Sequence, residues 1–210
     1  MLKRSLSIIA SLLIVTALNA ANSKTPDLEK NKDLLDKLYT TQYDTTIGSK
    51  DAKVVIFDFF DYNCSDCKAI APLLEELVKN NPEVKVIPIE YPILRPPAMY
   101  AAQVAIAALN QGKYAQVHHD FMARVGRFAT EEEVDSVAIK DGVDVSNIKS
   151  DAAIKSYLFK NLELGHKIGI TNVPTLFIGN VAEPHNTSVI VEPKAEELQT
   201  LINKYLNKAN

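Results

Sequence analysis

The sequence predicts a mixed α/β domain in which a parallel strand pair is separated from two closing strands by a long run of helices. Three observations carry this. Residues 54–89 read as strand, helix, strand, an order that a short crossover closes only as a parallel pair. Residues 96–168 then show helical spacing throughout. Strand character returns only at 175–179 and 188–191, ahead of a final amphipathic helix at 195–206 with Leu198, Leu201, Ile202 and Tyr205 on one face.

The chain has 210 residues, which suits one domain, or one domain carrying a sizeable insertion. The segment 1–20 is set apart by composition. Lys3 and Arg4 precede a stretch, 5–18, without any charge, and Asn19-Ala20 leads into polar sequence. This is the pattern of a secretory signal peptide. The alternative, a membrane anchor, needs about 20 apolar residues. Residues 21–41 are then expected to be a loose N-terminal segment with a short helix at 27–39, whose apolar positions are Leu28, Leu34, Leu35 and Leu38. That leucine stripe suits either docking on the chain's own domain or a homodimer contact.

The strand at 54–60, VVIFDFF, is an apolar run bounded by polar residues, which suggests burial on both faces. The helix at 68–78 carries Ile70, Leu73, Leu74 and Leu77, and Pro72 inside it removes one backbone donor. Residues 84–89 form a second strand, and its Pro88 predicts an edge position. In the helical block, 98–109 ends at Gln111-Gly112. Residues 113–125 precede Gly126 as a C-terminal stop. Thr130 and Glu133 form a capping box for a third helix, ended by Gly142. Residues 146–169 hold one short and one longer helix.

Charge narrows the partners. The net charge is −3, and loss of Lys3 and Arg4 with residues 1–20 takes it to −3 − 2 = −5. No basic cluster suggests nucleic acid or an anionic membrane surface. The two cysteines are Cys64 and Cys67, so a framework of structural disulfides is excluded. At this spacing the pair is either redox-active or metal-binding. A closed zinc site needs four ligands, and His118, His119, His166 and His185 show no paired spacing to the motif. No metal and no cofactor is expected. In a redox site, Cys64 falls at the strand-to-helix junction, where unsatisfied N–H groups and the helix dipole favour thiolate. Cys67 lies almost one turn deeper. Cys64 is then the sulfur that exchanges with substrate and Cys67 the resolving partner.

VVIFDFFDYNCSDCK at 54–68, EYPIL at 90–94 and GITNVPTLFIG at 169–179 resemble the DsbA family of exported thiol:disulfide oxidoreductases. The resemblance covers about 42–208. It implies a thioredoxin fold with a helical insertion at about 96–165, a location in the periplasm, exported proteins with free thiols as substrates, and a membrane redox partner. By position it implies that Pro174 is the cis-proline beside the dithiol. The backbone of Val173 would then be free to pair with an extended substrate. It also implies that Asp58, six residues before Cys64, is the acidic residue beneath the dithiol, able to relay a proton to or from Cys67. Asp61 reads as a solvated carboxylate. The chain departs from the strongly oxidising members, which carry Pro-His between the cysteines, by placing Ser65-Asp66 there. A carboxylate ~7 Å from the sulfur costs its thiolate roughly 0.6–2.4 kcal/mol at effective dielectric ~20–80. Cys64 is therefore expected below ~8.5 but above the ~3.5 of DsbA, as in a milder oxidant. DsbA-like oxidation leads the reading. A dimeric isomerase or reductase, and a non-catalytic dithiol module, remain as alternatives.

Overall fold

The computed structural model describes residues 25–209 apart from 29, 41, 42 and 95; the expected signal segment and Arg95 lie outside them. Five strands form one sheet in the order β1-β3-β2-β4-β5: β1 Ile47–Gly48, β2 Val54–Phe60, β3 Val84–Glu90, β4 Thr175–Asn180 and β5 Glu183–Val191. β2 pairs parallel with β3 and antiparallel with β4. Every residue of β2 is buried, as the unbroken apolar run requires of a central strand.

Because side chains alternate across a strand, β2 supplies two cores. Val54 and Ile56 join Ile70, Leu74 and Leu77 of the helix α2, Ser65–Asn80, and Leu198, Ile202 and Tyr205 of the last helix, Ala195–Ala209. Val55, Phe57 and Phe59 face the helical block instead. That block consists of α3 Pro96–Asn110, α4 Tyr114–Ala123, α5 Glu131–Lys140, a 3₁₀ turn at Ile148–Ser150 and α6 Ala152–Ile168. α6 comes close to the sheet at Gly165. A Cβ there would sit 2.4 Å from the Tyr91 ring, and the Tyr91 hydroxyl donates to Ile170 O at 3.2 Å.

Several boundaries differ from expectation, each for a local reason. The N-terminal helix, α1, spans only Lys32–Leu38. Before it, the Asn31 side chain turns back to the carbonyls of Asp27 and Ile168. Leu35 and Leu38 are buried against the chain's own core, and Tyr39 packs edge-on to Phe57. The leucine stripe that suited a homodimer contact is thus used within the domain. β3 is not the outermost strand, since β1 pairs with it, but only at Lys85 and Val86. Pro88 lies past that pairing, where Thr45 Oγ1 donates to its carbonyl; the missing N–H costs nothing there.

Pro96 and Pro97 open α3, two residues before the expected start at 98, as the first helical turn tolerates proline. α4 stops at Ala123, and Gly126, at φ +77°, belongs to the following loop rather than to the helix end. Half of the capping box forms: Thr130 accepts from Glu133 N, but Glu133 reaches Ala129 N and Arg124. β5 begins at Glu183, earlier than its composition suggests, because a register shift at Gly179/Asn180 lets the polar segment pair.

Candidate active site

A short connection, 61–64, joins β2 to α2 and ends on the first sulfur of the dithiol. Cys64 is the N-cap of α2, with extended backbone (φ −85°, ψ 120°), and its sulfur accepts the Cys67 N–H at 3.1 Å. A sulfur atom here takes the capping role usually filled by a hydroxyl or carboxylate oxygen. Both cysteines are free thiols, at 6% and 1% exposure. Cys64 Sγ also lies 3.4 Å from the carbonyl of Val173. The Val173–Pro174 peptide bond is cis, and the Val173 N–H has no partner among the described residues.

The two sulfurs are driven apart electrically. Cys64 is held below the usual thiol range, chiefly by hydrogen bonding from the Cys67 thiol; burial opposes this, the N–H groups of Cys67 and Asp66 add to it, and the Asp66 carboxylate works against it. Cys67 is pushed far up by burial, by its hydrogen bond to Cys64 and by the Asp58 charge. Ser65 and Asp66 both lie exposed in the first turn of α2.

Asp58 occupies the β2 face that looks toward α2. It is 3% exposed, its Oδ1 has no hydrogen-bond partner, and burial followed by the Cys64 charge raises it to about 8. Native cores seldom leave a carboxyl oxygen unsatisfied. Placed beside two thiols of opposed acidity, such a group can take up or release a proton near neutrality.

Asp61 departs from expectation. It is buried rather than solvated, because its oxygens accept the N–H groups of Asn63 at 2.7 Å and Leu94 at 2.9 Å. Burial raises it, while these N–H groups oppose the rise. It therefore ties the loop before the dithiol to the loop after β3. Asn63, unremarked in the sequence, has zero exposure. Its amide donates to Phe128 O at 3.1 Å and accepts from Phe128 N at 2.7 Å. Lys68 completes the frame, its ammonium donating to the carbonyls of Arg124 and Gly126 at 2.9 and 2.6 Å. No spacing rule announces a side chain that recognises main chain in a different part of the sequence, so these contacts were illegible beforehand. Asn172 braces the segment before the cis bond: its side-chain amide donates to Glu192 Oε1 and its main-chain carbonyl accepts from Thr175 Oγ1.

Among the described residues no three His, Cys, Asp or Glu side chains converge as metal ligands. What converges is a dithiol at a helix N-terminus, an orphan carboxyl and an unpaired backbone edge.

A family model described as Thioredoxin matches residues 40–204. The chain belongs to the thioredoxin family. Its similarity extends to a probable disulfide bond formation protein D of Bacillus cereus, 23% identical over 174 residues, which are 75% of this chain and 80% of that protein. Among solved structures, ScsC of Proteus mirabilis in a transitional conformation superposes with a TM-score of 0.75 at 25% identity, covering 88% of this chain and 81% of that one. The thiol-disulfide exchange protein alpha-DsbA2 of Wolbachia pipientis gives a TM-score of 0.68 at 25% identity, covering 84% and 92%. Within the thioredoxin family this chain is a DsbA-like thiol–disulfide oxidoreductase.

Proposed function

We propose that the chain oxidises pairs of thiols in exported polypeptides in the periplasm, and that a membrane redox partner reoxidises it. The reading rests on the asymmetry of the two sulfurs, one capped by N–H groups and one buried over an orphan carboxyl. A substrate thiolate attacks Cys64 in the oxidised pair. The Cys64–Cys67 bond breaks as the mixed disulfide forms, and Cys67 leaves as a thiolate that takes a proton from Asp58. The second substrate thiol, deprotonated, then attacks the mixed disulfide and releases Cys64 as thiolate. The substrate loses two electrons and the enzyme becomes a dithiol. The unpaired N–H of Val173, beside Pro174, gives an extended substrate a backbone partner next to Cys64. The similarity to a disulfide bond formation protein supports oxidation. The burial of Leu35 and Leu38 in the chain's own core favours docking of α1 on its own domain over a homodimer contact.

The decisive experiment pairs two substitutions. Cys64→Ser abolishes dithiol oxidation, and Cys67→Ser, whose Cys64 thiolate attacks a polypeptide disulfide and expels one of its sulfurs, accumulates the mixed disulfide that Cys67 would otherwise resolve; a Cys64→Ser protein that still oxidises dithiols would overturn the assignment. Equilibration with glutathione sets the direction. With Ser65-Asp66 between the cysteines, the expected potential lies between about −120 mV, a strong oxidant, and about −270 mV, a reductant.

A further inference from the structure

α1 and α6 lie side by side without closing on each other. Between them is a cavity of about 340 Å³ whose lining shares no residue with the dithiol site. The gap is held open by the way α1 is fastened. At its start, the Asn31 amide donates to Ile168 O at 3.3 Å. Toward its end, Asp36 meets His185 at 2.9 Å, and the Tyr39 hydroxyl lies 3.3 Å from Thr187 Oγ1. These contacts tie α1 to the last residue of α6 and to β5, and leave the middle of α6 uncovered. The floor of the cavity is apolar: Leu38, Ile89 and Tyr157 are buried and Leu164 is half-buried.

The rim is cationic. Tyr157, Lys160, Leu164 and Lys167 follow at steps of three, four and three residues, which places them on one face of α6. A face turned toward a neighbouring helix is ordinarily apolar. This one carries two lysines, and Lys37 of α1 adds a third from across the gap. Two of the three have ordinary explanations. Lys37 and Lys167 stand in the last turns of their helices, where a cation suits the helix dipole, and Lys167 pairs with Glu163 at 2.6 Å. Lys160 has neither. It sits in mid-helix, and among the described residues it has no hydrogen bond or ion pair. Glu163 is the one acid among the lining residues, so the rim carries 3 − 1 = +2 in a chain of net charge −3.

We propose that this cavity binds a small amphiphilic anion, a carboxylate on a short apolar chain, which lays the chain on Leu38, Ile89, Tyr157 and Leu164 and brings its charge to Lys160. Size selects among such anions. Ligand pockets run from roughly 300 to 1,000 Å³, and this one, at the small end, takes a single short chain but not a two-chain lipid. An inorganic anion would leave the floor uncovered, and a neutral chain would leave Lys160 without a partner. The site stands apart from the redox reading, because none of its residues belongs to the dithiol surface.

The test titrates the protein with octanoate, read by calorimetry and by amide NMR. Octanoate binds saturably at one site and shifts the amides of 34–40 and 157–167. Octanol, with the same chain and no charge, binds more weakly, about threefold or more, and so do octylamine and acetate. Lys160→Gln weakens octanoate about three- to tenfold, the range for one charge-assisted contact near the surface. Lys160→Glu weakens it about tenfold or more, and Lys160→Arg retains it. Glutathione exchange is unchanged in all three, since Lys160 is exposed and lies outside the dithiol site. Absence of saturable octanoate binding overturns the proposal. So does octanol that binds as tightly as octanoate, an unaltered affinity in Lys160→Glu, or amide shifts that fall on the dithiol surface instead of α1 and α6.

Discussion

Two buried carboxyl groups lie on adjacent parallel strands, Asp58 on β2 and Glu90 at the end of β3, and their surroundings are opposite. Burial raises both above the usual carboxylate range. Glu90 is surrounded by partners. Its Oε1 accepts the hydroxyls of Tyr62 and Tyr114 at 2.9 and 3.2 Å, and its carbonyl accepts from Asn161. Because the single Tyr62 proton is committed to Glu90, the buried His118 donates to Tyr62 from Nδ1, 3.0 Å away. Asp58 has an oxygen with no partner and two cysteines nearby. The difference separates two uses of a buried acid. Where hydroxyls from two elements converge on one oxygen, the acid is a joint, here binding the loop before Cys64 to α4, while its carbonyl holds α6. Where one is left unmatched, the acid keeps a proton available to move.

This contrast can be broken by substitution. Glu90→Ala is expected to have the largest effect on stability, about 3 kcal/mol or more, since it leaves the hydroxyls of Tyr62 and Tyr114 without their acceptor. Urea denaturation measures it, and a loss below ~1 kcal/mol would mean that the network is not a joint. Asp58→Leu should do the reverse on both counts. It slows oxidation on the order of a hundredfold, the usual contribution of a placed proton carrier, yet stabilises the fold by ~1–3 kcal/mol, because an unsatisfied group is removed.

The same variant tests the pH dependence. Folded Asp58 holds its proton up to about 8, whereas the unfolded chain releases it near 3.8. The folded state therefore binds more protons between these values. Stability from this group is complete below pH ~4 and falls as pH rises toward ~8. Asp58→Leu flattens the part of that decline due to Asp58, leaving what Glu90 and Asp61 contribute. Denaturation midpoints across that window with an unchanged slope would contradict the assignment. The smallest effect belongs to His118→Phe, which removes the outermost donor of the satisfied network. It should cost about 1 kcal/mol and leave the exchange rate alone. Burial lowers His118 to about 3, so it is neutral throughout the working range and carries no proton for the dithiol.

Much of the site was readable as local pattern. The Cys64–Cys67 spacing, the strand before it and the helix after it lie in one continuous stretch, 54–80. Asp58 and its relay role were implied by the resemblance, but its unmatched oxygen was not: an unmatched oxygen is a statement about every neighbour, and those come from other elements. Asp61 was misjudged for a related reason. A carboxylate in polar sequence reads as solvated, and only the approach of Leu94 N–H from the next loop buries it. Asn63 and Lys68 gave no signal at all, since what they bind is main chain, which carries no identity in the sequence.

Sequence alone determined the order of elements, the chemistry of the motif and which sulfur is the more acidic. Each follows from periodicity, spacing or the end of a helix, interactions between near neighbours in the chain. The tertiary structure decided which carboxyl is satisfied, which loop is fastened beside the dithiol and that the α1 leucines face inward. These depend on groups brought together from distant parts of the chain, where packing and hydrogen-bond matching, rather than local propensity, choose the partner.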